Sequence, residues 1–382
     1  MAILNSIADL RALARRRVPR AIFEYADRGS YDELTLRRNR ADFDALQLRQ
    51  RVGIDVANIS TSSSMLSQAC ALPLGIAPTG LTGLFHRDGE ICGARAAAAA
   101  GVPFSLSTVS ICSIEDVSGA STTPFWFQLY LMRDRGCSED LMSRAQAARC
   151  PVLLLTLDLP VLGLRRRDAK NGLSVPPRLT LGNALDIASK PGWALGMLRA
   201  RRRTFGNLEG RLTAPGGLRS LSSWLNEQAY PQASWQDVAW VRAQWPGRLV
   251  IKGVLDPEDA CRAVDLGADA VVVSNHGGRQ LDGAPSSISA LPRIVAALQG
   301  RCEVLFDGGI MSGQDVLKAL ACGAQGCFMG KAFLYALGAR GEAGVTLALE
   351  IIRQELAISM ALAGVTDVRK VDSGILWQAE RP

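Results

Sequence analysis

The stretch VVVSNHGGRQLDG, residues 271–283, joins three valines to a polar segment that is rich in glycine. The valines predict a strand that is buried on both faces, because such strands are continuously apolar rather than alternating. The polar segment contains His276, one of only two histidines in the chain, and then Arg279. A buried strand that ends in a histidine, an arginine and glycines predicts a functional site at its carboxyl end.

Seven more short apolar runs are bounded by turn residues in the same way. They begin at Leu72, Pro103, Pro124, Val152, Arg248, Glu303 and Gln325. Helical patterns lie between most of these runs, and we expect helix N-caps at Ser138, Asp256 and Ser312. Eight strands that alternate with helices predict the α/β class and a (β/α)8 TIM barrel.

The runs also predict the domain organisation. We expect one domain over residues 1–382, with the barrel at roughly 65–365 and an amphipathic helical segment before it. The long gap between the fourth and fifth strands predicts an insertion at roughly 166–235. A doubly wound sheet is the alternative, but no two glycines are separated by one residue, so the G-x-G-x-x-G fingerprint is absent.

Composition argues against several other classes of protein. A chain that is 48% apolar and 21% charged is typical of a globular protein with a large core. The charge-free run at residues 96–114 contains Gly101 and Pro103, which favours a helix end and a strand over a membrane span. Nine cysteines without a C-x-x-C pair or a secretory segment indicate reduced thiols in the cytoplasm. With two histidines and scattered cysteines, no metal site is expected.

Polar residues or glycines follow each predicted strand, where TIM barrels carry their chemistry. They are Pro78–Thr79, Ser107–Thr108, Gln128 and Tyr130, Thr156 and Asp158, Lys252, Asn275–His276, Asp307–Gly309, and Gly330–Lys331. The glycines after strands seven and eight predict a phosphate site built from backbone N–H groups, with simple tight turns as the alternative.

The motifs resemble those of the FMN-dependent α-hydroxy acid dehydrogenases and oxidases. The similarity centres on SNHGGRQLD at residues 274–282. It runs almost end to end, from PRAIFEYADRGS at residues 19–30 through IAPTG, LSTVS, WFQLY, LTLDLP and VIKG to DGG and the final GEAGV at residues 341–345. The bacterial respiratory L-lactate dehydrogenases are the most similar branch. The resemblance implies FMN as cofactor and oxidation of L-lactate to pyruvate, with electrons passed to a quinone or similar acceptor. A bulkier substrate such as (S)-mandelate, or an oxygen-using oxidase, is the alternative.

Oxidising a 2-hydroxy acid requires a base and an anion clamp. His276 suits the base because imidazole titrates near neutral pH, whereas His86 lies in a loop-like stretch and is expected to be structural. Asp158 is expected to orient the imidazole, with a capping role as the alternative. Arg165 and Arg279 suit a bidentate clamp on the substrate carboxylate. The alternative for Arg166 and Arg167, which follow Arg165, is a solvated run of charge.

The remaining site residues depend wholly or partly on the resemblance. It places Tyr25 beside the substrate and supports Tyr130 there, and it implies that Lys252 stabilises negative charge on the reduced flavin. Flavin-contacting positions are expected at Ala77, Pro78, Thr79, Ser107, Gln128, Thr156 and Ser274, with Asp307, Gly308, Gly309, Gly330 and Lys331 toward the phosphate. Two positions depart from the family pattern. Met311 replaces a usual arginine, and Val109 replaces the tryptophan of plant glycolate oxidases.

The insertion is strongly basic. Residues 165–203 contain ten Lys or Arg against Asp168 and Asp186, while the whole chain carries a net charge of +7. Tryptophan and leucines interleave with arginines at residues 190–208, which predicts binding to an anionic membrane surface. A lid over the site is the alternative. Nucleic-acid binding would explain the basic segment but none of the strand-end residues, so no nucleic-acid partner is expected.

Two further expectations concern location and assembly. We expect a cytoplasmic protein, peripheral on the inner face of the cell membrane if the basic insertion binds lipid. The resemblance implies a homo-oligomer, specifically a tetramer.

Overall fold

A computed structural model describes residues 3–172, 180–209 and 230–377. The chain begins with three helices, α1 (Ile7–Arg17), α2 (Arg20–Asp27) and α3 (Leu34–Ala45). Ser6 caps α1 by accepting a hydrogen bond from the N–H of Asp9. This is the N-terminal helical segment that the sequence predicts.

A hairpin and a barrel follow. The hairpin consists of β1 (Ser63–Met65) and β2 (Gln68–Cys70). The barrel strands are β3 (Leu74–Ile76), β4 (Ser105–Ser107), β5 (Trp126–Leu129), β6 (Val152–Thr156), β7 (Arg248–Val254), β8 (Ala270–Val273), β9 (Glu303–Phe306) and β10 (Gly326–Met329). They form one parallel sheet in which chain neighbours are also sheet neighbours, with β10 also paired to β3. A bridge between Ile76 and Phe104 links β3 to β4 and closes the barrel. The TIM-barrel prediction is confirmed, and each predicted run contains one strand.

Helices connect the strands. Outside the insertion they are α4 (Gly89–Ala99), α5 (Ile114–Ala120), α6 (Arg135–Ala147), α10 (Trp235–Gln244), α11 (Pro257–Asp265), α12 (Ser287–Leu298), α13 (Gly313–Ala321) and α14 (Lys331–Leu362). Between β6 and β7 lie α7 (Arg166–Lys170), α8 (Leu181–Ala188) and α9 (Pro191–Leu198). No helix of the described residues is long and apolar enough to cross a bilayer.

The predicted caps at Asp256 and Ser312 are confirmed, since each accepts a hydrogen bond from the first turn of its helix. The cap predicted at Ser138 is wrong, because α6 begins earlier and Asp134 accepts the N–H of Gly136. Ser138 lies inside α6, where its buried hydroxyl accepts the N–H of Met132. Asp134 and Ser138 are both residue types that cap helices and lie four positions apart, and the sequence pattern does not show which of them is the cap.

The three valines that open the signature face two different cores. Val272 belongs to a cluster inside the barrel with Trp126 and Phe328, whose rings meet edge to face at 5.8 Å. Val271 and Val273 belong to the larger core between barrel and helices. Both faces of β8 are therefore buried, which is why its sequence is apolar without alternation.

Candidate active site

The carboxyl ends of the strands surround a cavity of about 840 Å³. Most predicted site residues line it, namely Tyr25, Ala77, Pro78, Thr79, Tyr130, Thr156, Arg165, Lys252, His276, Arg279, Asp307, Gly308, Gly309, Gly330 and Lys331. The other four lie behind this wall. Asp158 contacts His276, and Ser274 contacts Lys252. Ser107 accepts the N–H of the lining residue Val109 and donates to Gln128. The fold therefore brings the predicted residues together.

His276 stands at the turn after β8. Its Nδ1 lies 3.1 and 3.2 Å from the two carboxylate oxygens of Asp158, so Nε2 is the nitrogen left to exchange a proton. Burial raises the pKa of Asp158, but His276 and Lys252 more than offset it, and the net pKa lies below the usual value. The carboxylate therefore stays ionised and stabilises a protonated imidazole.

Gly253 makes room for this pair. It has a φ of +100°, and a Cβ there would lie 2.6 Å from Cβ and Cγ of Asp158. His276 itself has a φ of +57°, a left-handed conformation that is costly for a residue with a side chain. Strain of this kind is typical of functional sites, and the apolar run that contains Gly253 gives no signal of this role.

Arg279 is buried between the signature loop and α2. Its Nη1 donates to the carbonyl oxygens of Tyr25 and, at 3.0 Å, Arg28, and its guanidinium lies 4.5 Å from the centre of the Tyr25 ring. Its Nη2 has no partner among the described residues. Burial, and then the nearby Arg165, lower the pKa of Arg279 to about 10, so it remains charged at neutral pH. A buried guanidinium with an unused donor is suited to an anion.

Gln280 organises the loop that joins Asp158 to Arg165. Its Nε2 donates to the carbonyl oxygens of Asp158 and Val161 at 2.8 and 2.9 Å. Its Oε1 accepts the N–H of Gly163 at 3.1 Å and lies 3.4 Å from Nη2 of Arg165. Gln280 lies within the signature at residues 274–282, but its position in the sequence does not predict these contacts.

One part of the cavity wall is formed by small apolar residues. Gly80 and Val109 both line the cavity, and a Cβ on Gly80 would lie 2.7 Å from Cγ2 of Val109. Tyr130 also lines it, and burial raises the pKa of its phenol, which therefore stays a neutral hydrogen-bond donor.

Buried polar atoms without partners test whether a polar ring cofactor fits. Among the described residues these include Nε2 of Gln128, Oγ1 of Thr156 and Oδ1 of Asp307. The buried Lys252 lies 2.6 Å from Oδ2 of Asp307 and 2.9 Å from the Ser274 hydroxyl. Buried polar groups almost always have partners, so these atoms suit a bound group with polar edges, such as a flavin.

The turns after β9 and β10 contain the predicted phosphate corner. Gly308 and Gly309 have φ values of +104° and +122°, which only glycine adopts readily. Met311 lines the cavity there. The Lys331 ammonium lies 2.7 Å from the carbonyl oxygen of Ala26 and 3.3 Å from that of Arg28, so it caps α2. Burial, and then Arg279, lower the pKa of Lys331 to about 7.

The family model of FMN-dependent dehydrogenases matches residues 14–378. This chain belongs to the FMN-dependent dehydrogenase family. The L-lactate dehydrogenase of Caulobacter vibrioides (strain NA1000 / CB15N) is 50% identical over 381 residues, covering 99% of this chain and 98% of the relative. That of Pseudomonas aeruginosa (strain LESB58) is 45% identical over 379 residues, with 98% of each chain covered.

Two solved structures of similar proteins share the fold. The monotopic membrane protein (S)-mandelate dehydrogenase is 33% identical with a TM-score of 0.94, covering 99% of this chain and all of that chain. A mandelate oxidase is 38% identical with a TM-score of 0.82 and covers 97% of each chain. The predicted family is confirmed, and the cofactor is FMN.

Proposed function

We propose that this FMN-dependent dehydrogenase oxidises L-lactate to pyruvate. The observation that carries the proposal is the His276–Asp158 pair, which lies in the same cavity as Arg165 and the buried Arg279. A base beside an anion clamp matches the two chemical needs of a 2-hydroxy acid. Relatives that are 50% and 45% identical are L-lactate dehydrogenases, which supports lactate as the acid.

In this proposal each polar group has one task. The substrate carboxylate binds Arg279 and Arg165, and the hydroxyls of Tyr25 and Tyr130 donate hydrogen bonds to the substrate. Nε2 of His276 removes the hydroxyl proton, and Asp158 stabilises the resulting imidazolium. FMN, when bound, would supply the acceptor for the two electrons and for the second hydrogen that leave the substrate.

The flavin ring would lie against β3–β7 and the phosphate against the turns after β9 and β10. Lys252 would stabilise negative charge on the reduced ring. The other proposed contacts are Ala77, Pro78, Thr79, Ser107, Gln128, Thr156 and Ser274 for the ring, and Asp307, Gly308, Gly309, Gly330 and Lys331 toward the phosphate. The unpartnered atoms of Gln128 and Thr156 support the ring placement.

(S)-Mandelate dehydrogenation is the second candidate. The small wall formed by Gly80 and Val109 favours it, because an aromatic substituent needs space that a larger residue would fill. Steady-state kinetics with L-lactate, (S)-mandelate and glycolate test the choice. We expect the highest kcat/KM for L-lactate, and a higher value for (S)-mandelate would replace lactate as the substrate. Oxygen uptake equal to dye reduction would indicate an oxidase instead.

We propose a quinone as the electron acceptor and an anionic membrane as the docking surface. Leu181 and Leu198 are 79% and 66% exposed on α8 and α9, and Leu185 is also exposed. Three nearby arginines are Arg199, Arg201 and Arg203. Apolar residues beside cations suit a headgroup region. The monotopic (S)-mandelate dehydrogenase supports this arrangement by its likeness.

The cytoplasmic location and the tetramer also remain proposals. They are tested by fractionating cells and by measuring the mass of the purified protein with light scattering. A protein recovered outside the cytoplasm and its membrane, or a monomer, would contradict them.

A further inference from the structure

The last part of the insertion, residues 202–209, packs differently from its helices. No residue of α8 or α9 is buried. By contrast, Asn207 and Leu208 are at most 1% exposed and Phe205 is 5% exposed. Phe205 also lines the cavity. Residues 205–208 are therefore part of the core, and we name residues 202–209 the return limb.

The return limb contacts the loop that follows β4. The N–H of Gly206 donates to the carbonyl oxygen of Ile111 at 3.0 Å, and a Cβ on Gly206 would lie 2.6 Å from that oxygen. Arg144 fixes the limb from the other side through a 2.8 Å hydrogen bond to the carbonyl oxygen of Asn207. The close approach requires glycine at position 206 and leaves little freedom for the limb.

Asn207 satisfies the backbone of the β4 loop. Its Nδ2 lies 3.1 and 3.2 Å from the carbonyl oxygens of Ser107 and Thr108, and 3.0 Å from the Ser110 hydroxyl. Its Oδ1 accepts the N–H of Ile114 at 2.8 Å. One buried amide therefore fixes both ends of the loop, and its removal would leave several buried polar groups without partners.

The same loop holds Gln128. The Ser107 hydroxyl and the N–H of Thr108 both donate to Oε1 of Gln128, at 3.1 and 3.3 Å. Because Oε1 receives both hydrogen bonds, the orientation of the amide is set, and Nε2 is left without a partner among the described residues. A buried donor held in this way suits a flavin carbonyl.

We infer that Asn207 is a positioning residue of the flavin site. It holds the peptides of Ser107 and Thr108, which in turn orient Gln128 toward the cofactor. The inference rests on the proposed placement of the flavin ring beside Gln128. It makes the return limb a component of the cofactor site, although the limb belongs to an insertion.

Asn207→Asp is the sharpest test. The aspartate keeps the acceptor for Ile114 but replaces the donor with a carboxylate that faces two carbonyl oxygens. We expect the FMN dissociation constant of the apoprotein to rise at least about tenfold, as expected when buried hydrogen bonds are lost. The flavin midpoint potential should shift as well. Asn183→Ala is the matched control, because Asn183 lies in the same insertion and donates to the carbonyl oxygen of Asn171.

A double-mutant cycle with Gln128→Met distinguishes positioning from general stability. If Asn207 acts through Gln128, its effect on FMN affinity largely disappears in the Gln128→Met background. Additive effects, or a lower melting temperature with unchanged FMN affinity and potential, would overturn the inference. If Asn207→Asp does not fold, the cycle is run with Asn207→Ser, which keeps one donor and should be intermediate. A wild-type apoprotein that does not bind FMN would contradict FMN as the cofactor, not the role of Asn207.

Discussion

The two ends of the cavity differ in how far they follow the family pattern. At the reacting end, His276, Asp158 and Arg279 are all present and contact partners that orient them. At the phosphate end, Met311 replaces an arginine, and the ammonium of Lys331 lies instead at the end of α2, where Arg279 also donates to the carbonyl oxygen of Arg28. The proposed reaction requires the side chains of His276, Asp158 and Arg279. A phosphate, by contrast, can be bound by backbone N–H groups as well as by side chains. Substitutions at the reacting end should therefore have large effects on the rate of flavin reduction. Substitutions at the phosphate end should have smaller effects, on FMN affinity.

The largest effect is expected from His276→Gln at the reacting end. Loss of general-base catalysis should slow flavin reduction by L-lactate by roughly 10²–10⁴-fold, because glutamine cannot accept the proton. Anaerobic stopped-flow absorbance measures this step directly. FMN affinity should be unchanged, since the phosphate corner lies elsewhere. Rapid flavin reduction in the variant would refute the assignment of the base.

Gly253→Ala tests whether the carboxylate must occupy its present place. The added methyl would lie 2.6 Å from Cβ and Cγ of Asp158, so Asp158 must shift and its contact with His276 should be disturbed. We expect flavin reduction to slow by about tenfold to a hundredfold, through a misplaced imidazolium partner. Gly283→Ala is the control, because Gly283 also has a positive φ but a Cβ there meets no atom within 4 Å. Equal rates in both variants would contradict this role.

Lys331 should make the FMN dissociation constant depend on pH. Its pKa is about 7 without ligand, and a nearby phosphate would raise it, so FMN binding above pH 7 takes up a proton. The FMN dissociation constant should therefore rise between pH 7.5 and 9, by at most about tenfold per pH unit. Lys331→Met should loosen FMN binding near pH 7 and remove the slope, with little change in substrate affinity.

Lys318→Met is the control for Lys331. Lys318 is also a buried lysine that caps a helix, since its ammonium lies 2.7 Å from the carbonyl oxygen of Phe43, but it does not line the cavity. Lys318→Met should leave the pH dependence of the FMN dissociation constant unchanged. A wild-type affinity that is independent of pH would mean that Lys331 only caps α2.

A smaller effect is expected from Met311→Arg. A guanidinium there should tighten FMN binding by about fivefold, the value of one ordinary hydrogen bond. The gain is reduced because Arg40 already lines this part of the cavity and is paired with Asp315. Titration of the apoprotein with FMN provides the measurement. An unchanged affinity would show that backbone N–H groups already satisfy the phosphate.

The smallest effect on either end is expected from replacing residues 181–198 with a short linker. FMN affinity should stay within about twofold, because neither helix buries a residue, whereas sedimentation with anionic vesicles should be lost. Retained sedimentation, or a wild type that does not bind vesicles at low salt, would refute the membrane proposal. A longer deletion through residue 225 would remove the return limb, and we expect it to damage the flavin site.

The sequence predicts the barrel well because each strand is buried on both faces and followed by polar residues or glycine. It also predicts most of the cavity wall, since parallel strands bring their carboxyl ends together. It does not predict Asn207, whose partners at residues 107–110 are about a hundred positions away and share no periodic pattern with it. It also does not predict the direction of Lys331, because a lysine after a glycine can reach either a phosphate or a helix end.

The contact between Lys331 and Ala26 joins residues that are 305 positions apart. Arg279 adds a contact between the same helix and the second half of the barrel. Translation proceeds at roughly 5–20 residues per second, so about 15–60 s separate the synthesis of α2 from the synthesis of Lys331, which caps it. Tyr25 is therefore expected to reach its place in the site only after Lys331 has been synthesised. The nascent chain should lack the proposed substrate clamp until α14 emerges, and removal of α14 should disable Tyr25, which lies on α2.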